Sequence, residues 1–144
     1  MIYICRMIYV TRKERFNAAH KLWRPDWTKA MNEEVYGKCA NENWHGHNYD
    51  LFVTVKGEID QETGYVLDLK LLSRLINSEV ISQLDHKNIN LDVAFMRNKI
   101  ASTENLVVAI WNILAPTISA TFECKLHCVK LYETENNFAE YYGE

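Results

Sequence analysis

Residues 7–20 carry β-branched and aromatic side chains at Ile8, Tyr9, Val10, Thr11 and Phe16, which predicts a first strand. A polar stretch with Trp23, Pro25 and Trp27 follows. Within it, residues 28–36 predict a short helix closed by Gly37, the residue type that suits a helix C-terminus. Residues 45–57 alternate, with Tyr49, Leu51, Val53 and Val55 on one face and His45 and His47 sharing their parity, so a second strand is expected there. Asp60-Gln61-Glu62-Thr63-Gly64 reads as a turn. Asp68 is placed to cap a helix that carries Leu69, Leu72, Ile76, Val80 and Leu84 at helical spacing and ends near Asp85-His86. Ser102 or Thr103 caps another helix built on Leu106, Val107, Ile110, Trp111 and Leu114, and Pro116 is expected to discourage its continuation. Residues 122–133 and 138–142 predict two further strands. The order ββααββ favours an α+β fold, with the helices gathered on one face of an antiparallel sheet.

The length of 144 residues fits one domain spanning 1–144, large enough to bury a core without staples. Sixteen basic against nineteen acidic residues give a formal charge of −3, which disfavours a general nucleic-acid binder. The apolar run Met1-Ile2-Tyr3-Ile4-Cys5 is broken by Arg6, far short of the ~20 residues that a membrane helix needs. A cytoplasmic protein with no membrane partner is expected. The four cysteines do not form a small-domain disulfide framework. Cys124 and Cys128 share a strand-like run, where four steps would part their Cα atoms by ~13 Å, beyond disulfide reach. They are expected to be buried strand thiols.

The histidines carry the chemistry. In His45-Gly46-His47 the two imidazoles project from one face of a strand, ~7 Å apart at Cα, and two such rings can converge on one ion. His20, at the end of the preceding strand, is placed to be a third ligand if the two strands pair. Three histidines without a fourth protein ligand leave zinc an open, catalytic position; Cys39 as a fourth would instead close a structural site. Spacing alone leaves both readings open. His86 stands beside Asp85 at a predicted helix end, and an Asp–His pair can hold an imidazole in one tautomer for acid–base work. His127 falls in a predicted strand and is read as structural.

Five blocks then match one family in order. They are Phe16-Asn17-Ala18-Ala19-His20; Gly37-Lys38-Cys39 with His45-Gly46-His47-Asn48-Tyr49; Leu84-Asp85-His86-Lys87-Asn88; Ser102-Thr103-Glu104-Asn105; and Leu131-Tyr132-Glu133-Thr134-Glu135-Asn136-Asn137. Together they resemble the 6-pyruvoyltetrahydropterin synthase family over nearly the whole sequence. The resemblance implies a T-fold, a four-stranded antiparallel sheet with two helices on one side, in subunits that form trimeric barrels and stack as a homohexamer with sites between subunits. It implies a lyase that converts 7,8-dihydroneopterin triphosphate into 6-pyruvoyltetrahydropterin. By the same resemblance, His20, His45 and His47 are the Zn²⁺ ligands and Cys39 is the base. Asp85 and His86 join it from another subunit, Glu133 anchors the pterin ring, and Thr103 and Glu104 line its pocket. Lys21, Arg24, Lys38 and Lys87 are the cations nearest the motifs for the triphosphate.

Trp44 departs from the pattern, since a small residue is expected before His45, and an indole there is expected to reshape the far end of the pocket, where the substituent on the pterin ring would lie. A sister family, 6-carboxytetrahydropterin synthase of queuosine biosynthesis, shares the fold, the zinc triad and the substrate but also releases acetaldehyde. The five-residue gap between Cys39 and His45 leans toward the pyruvoyl enzyme. A pterin-binding or structural zinc module that has lost the chemistry is the non-enzyme alternative. The presence of Cys39, Asp85, His86 and Glu133 together argues against it.

Overall fold

The alternation that begins at Met7 forms β1 (Met7–His20), which pairs antiparallel along its whole length with β2 (His45–Glu58). The computed structural model describes residues 4–144; Met1, Ile2 and Tyr3, which open the N-terminal apolar run, lie outside the described residues. Between the two strands, Thr28 caps α1 (Lys29–Tyr36) by accepting from the Met31 amide. Gly37 ends that helix at φ 57°, a conformation that glycine enters without steric cost. A single 3₁₀ turn, Gly37–Ala40, carries Cys39.

Asp68 caps α2 (Leu69–Ile76), which continues through a π-helical turn (Asn77–Ile81) into α3 (Ser82–Leu84). The backbone then forms β3 (Lys87–Asn88) and α4 (Ile89–Asp92) before α5 (Thr103–Thr121), capped by Ser102. It ends in β4 (Lys125–Tyr132) and β5 (Phe138–Tyr141). The sheet order is β3-β1-β2-β4-β5.

The α+β class and the one-sided helices match the sequence expectation, but the sheet has five strands rather than four. The fifth, β3, is two residues long and runs parallel to the end of β1, opposite Ala18 and Ala19. Two residues carry no alternation, so no periodic signal marks it. Pro116 does not stop α5, which continues to Thr121. Proline withdraws the hydrogen bond to the Asn112 carbonyl, but Asn112 and Pro116 lie on the solvent side. Meanwhile Leu114 and Ile118, both fully buried, hold the helix on either side of it.

One face of the sheet forms the core: Phe16 and Ala18 from β1, Tyr49, Leu51, Val53 and Val55 from β2, and Leu126, Val129 and Leu131 from β4. Each fully buried aliphatic residue here contributes ~1.5–3 kcal/mol by leaving water. A bulge between Thr54 and Val55 adds one residue to β4, and that residue is His127. It turns outward between the rings of Tyr9 and Tyr142, so its structural reading fits its place. All four cysteines are free, and Cys124 and Cys128 are buried. No helix among the described residues is long and apolar enough to cross a membrane.

Candidate active site

His20 and His45 stand directly opposite each other where β1 ends and β2 begins, and Ala18 stands opposite His47. Strand parity therefore sends all three imidazoles to the same face, the one that also carries the core. Their ligand atoms lie within 4.8 Å of one another, and no other described His, Cys, Asp or Glu joins that cluster. Cys39 is outside it. The His20 ring is 2% exposed and its Nδ1 bonds the Ala101 carbonyl at 2.7 Å, which makes Nδ1 the protonated nitrogen and leaves Nε2 a bare acceptor.

His20 Nε2, His45 Nδ1 and His47 Nε2 are buried and have no hydrogen-bond partner. Three convergent, unpaired imidazole nitrogens are costly unless something electrophilic occupies the space between them, and three neutral histidines suit zinc with an open fourth position. Burial pushes the pKa of His20 and of His45 below the usual histidine value, keeping both rings neutral and able to donate a lone pair.

Glu133 follows the last residue of β4, and continuing the Asp50–Tyr132 register places it opposite Tyr49. The carboxylate reaches toward the triad, with Oε1 3.6 Å from His47 Nε2 and Oε2 3.9 Å from His20 Nε2. It is fixed from the other side by Thr103, whose hydroxyl donates to Oε2 at 2.6 Å from the first turn of α5. A cavity of about 450 Å³ opens here, lined by His20, Cys39, Thr103, Glu104, Glu133 and Phe138 among others. The Cys39 carbonyl accepts from the Leu22 amide at 2.8 Å, which ties the 3₁₀ turn to the end of β1. The triad and this cavity thus bring together His20, His45, His47, Cys39, Thr103, Glu104 and Glu133, all expected at the site from the sequence.

Asp85 and His86, expected beside Cys39 from another subunit, lie elsewhere in their own. His86 lines a separate groove of about 590 Å³ with Asn17, Ala19, Gly46 and Asn48, on the sheet face turned away from the helices. Asp85 and His86 touch each other directly, Oδ2 to Nδ1 at 2.9 Å. Adjacent residues rarely orient each other in this way. Here His86 adopts φ 60°, and Asn17 clamps the turn by donating its amide to Asp85 Oδ1 at 3.0 Å and accepting from the His86 amide at 2.7 Å. The Asn17 bond and the His86 bond hold the Asp85 carboxyl below the usual carboxylate range.

Three further residues shape the site without a signal in the sequence that assigns them a role. Asn17 acts through its backbone, and Ala101 acts through its carbonyl, which no side-chain pattern reports. Tyr49 packs edge-on to His20 and His47 with its hydroxyl buried and unpaired; burial pushes its phenol pKa well up. Trp44 is not among the residues that line this cavity, and its ring lies under the Lys21 ammonium. Of the other cations, Arg24 pairs with Asp26 and Lys87 lines the outer groove.

Residues 9–144 match the family described as 6-pyruvoyl tetrahydropterin synthase. The sequence is 41% identical over 135 residues to the 6-pyruvoyl tetrahydrobiopterin synthase of Pongo abelii, covering 94% of this protein and 91% of that one. A solved 6-pyruvoyl tetrahydropterin synthase from Caenorhabditis elegans superposes with a TM-score of 0.90 at 32% identity, over 99% of this protein and 100% of that one. A 6-carboxy-5,6,7,8-tetrahydropterin synthase of Rickettsia typhi is 25% identical over 150 aligned positions, covering 93% of this protein and 99% of that one.

Proposed function

The chain belongs to the 6-pyruvoyl tetrahydropterin synthase family, and on that premise we propose that it is a zinc-dependent lyase converting 7,8-dihydroneopterin triphosphate into 6-pyruvoyltetrahydropterin and triphosphate. The observation that carries this reading is the convergence of three unpaired imidazole nitrogens, one of them from His20 in the wall of a cavity that also holds Cys39 and the Thr103-bound Glu133. The greater likeness to the pyruvoyl-forming relative than to the carboxy-forming one supports the pyruvoyl product. The absence of Cys39 from the metal-competent cluster among the described residues speaks against a closed structural zinc site.

In this reading His20, His45 and His47 hold Zn²⁺. When bound, the ion supplies Lewis-acid chemistry that raises the acidity of substrate C–H bonds beside a developing carbonyl. Glu133 accepts two hydrogen bonds from the amino and ring N–H groups of the pterin, and the Thr103 hydroxyl keeps the carboxylate turned toward them. Cys39, on its 3₁₀ turn at the cavity wall, takes the proton as thiolate. Asp85 fixes His86 as the acid–base partner that shuttles it.

The Asp85–His86 dyad lies on the far face of the sheet from the cavity of its own subunit, so we assign it to the cavity of a neighbouring one. The edge of β1 is paired with β3 only at Ala18 and Ala19, and Asn17 is taken by Asp85 and His86, which leaves Met7 to Phe16 for strand pairing between copies and fits a trimeric barrel doubled into a homohexamer. Release of triphosphate from dihydroneopterin triphosphate by zinc-loaded protein tests the assignment. Turnover that depends on both zinc and Cys39 is expected, and zinc-loaded protein that leaves the substrate intact would refute it.

A further inference from the structure

Lys21 and Trp44 are the first residues beyond the paired ends of β1 and β2, next to the opposed ligands His20 and His45. Trp44 has φ 68°, a left-handed conformation that a bulky aromatic residue rarely adopts and that persists only where its surroundings impose it. Those surroundings are specific. The Lys21 ammonium sits 4.3 Å from the centroid of the Trp44 ring and 5.0 Å from that of Trp23. Lys21 is itself held by one side chain at both of its backbone polar groups: Asn90 Oδ1 accepts from the Lys21 amide and Asn90 Nδ2 donates to the Lys21 carbonyl, each at 3.0 Å. The Trp44 amide donates to the Asn41 carbonyl at 3.2 Å, closing the turn that leads into β2.

The three ligand histidines are not equally secured. His20 is buried and pinned by the Ala101 carbonyl, and His47 sits inside the strand ladder opposite Ala18. His45 is the terminal residue of β2, half-buried, and is met by the edges of the other two imidazoles at 4.6 and 4.9 Å. Pairing opposite His20 fixes the face onto which His45 points, and the residue before it is the other neighbour that bears on the aim of its Cα–Cβ bond. A left-handed residue there turns the peptide plane that enters His45, and the cation–π contact holds that turn from the β1 side. We infer that Trp44 is a positioning residue for His45, stapled by Lys21 across the open end of the β1–β2 pair so that the His45 Nδ1 stays aimed at the triad. This rests on the reading of the triad as a zinc centre.

The test uses the full-length protein and reads zinc affinity by chelator competition together with the melting temperature of the metal-free form. Glycine adopts φ 68° without strain, so Trp44→Gly is expected to keep or raise the metal-free melting temperature. It should weaken zinc binding at least tenfold, the scale on which loss of a residue supporting a ligand acts (~10–100-fold). Lys21→Met leaves the backbone turn alone and is expected to weaken zinc ~2–5-fold, the scale of one exposed cation–π contact. Lys21→Arg, which keeps a cation over the ring, is expected to bind as the parent does. The double variant Trp44→Gly/Lys21→Met is expected to be no weaker than Trp44→Gly alone. Parental zinc affinity in Trp44→Gly would overturn the staple, and so would a lowered metal-free melting temperature in that variant, which would mark Trp44 as a support of the fold. A parent protein that binds no zinc would overturn the triad reading and this inference together.

Discussion

His20 donates its Nδ1 hydrogen to the Ala101 carbonyl at 2.7 Å, and that one bond decides which of its nitrogens faces the other two histidines. The carbonyl lies just before α5, so the loop that starts the longest helix also sets the tautomer of a proposed metal ligand.

The first prediction separates ligands from chemistry. His20→Ala is expected to lose stoichiometric zinc, measured by elemental analysis after dialysis. Cys39→Ala is expected to keep zinc and pterin binding while turnover falls ~10²–10⁴-fold, the usual contribution of a proton-transfer group. Loss of zinc from Cys39→Ala would make the cysteine a ligand.

Burial lowers the pKa of His20 and His45 in the folded protein, and this has a sign. The unfolded protein, with histidines near ~6.5, binds protons more readily, so protonation favours unfolding. The contribution of neutral His20 and His45 to stability is therefore complete above ~6.5 and declines as the pH falls below it. The metal-free protein is expected to melt lower at about pH 5.5 than at about pH 7.5, and His20→Asn is expected to flatten that dependence. Identical pH profiles for the two proteins would contradict the assignment.

Glu133 and Thr103 are linked by a 2.6 Å hydrogen bond, so they are expected to fail together. Glu133→Gln replaces one acceptor by a donor and is expected to raise the dissociation constant of a non-reactive pterin at least tenfold, with zinc content unchanged. Thr103→Val removes a hydrogen bond to a charged group, worth ~1.5–3 kcal/mol, and is expected to weaken the same binding about tenfold. Calorimetric titration measures both. Parental affinity in Glu133→Gln would place the ring elsewhere.

The placement of Cys39 in the cavity and of His86 in a groove on the opposite sheet face makes the shared site testable. Cys39→Ala and His86→Ala are each expected to be inactive alone. Unfolded together and refolded as mixed oligomers, they are expected to regain activity, because some sites then combine an intact Cys39 from one subunit with an intact His86 from another. Mixtures as inactive as their parts would place both residues in the site of a single subunit.

Much of the fold and of the triad is legible in the sequence. The extents of β1 and β2 follow from alternation, and Asp68 and Ser102 cap where their side chains suggest. His20, His45 and His47 meet because parity and antiparallel pairing leave them no other face. The rest is hidden for identifiable reasons. β3 is too short to show a period, and α5 passes Pro116 because tertiary burial of Leu114 and Ile118 outweighs one missing hydrogen bond. The clamp of Asn17 on Asp85 and His86 joins residues 68 and 69 positions apart, mostly through backbone atoms. Asn32 is fully buried in α1 because its amide holds the backbone of Arg24, a role that a lone polar residue in a helix does not announce.

The product made from 7,8-dihydroneopterin triphosphate tests the central claim most directly. Zinc-loaded protein, incubated with that substrate without oxygen and followed by mass analysis, is expected to yield 6-pyruvoyltetrahydropterin and triphosphate with no acetaldehyde. Acetaldehyde with 6-carboxytetrahydropterin, or unconverted substrate, would contradict it.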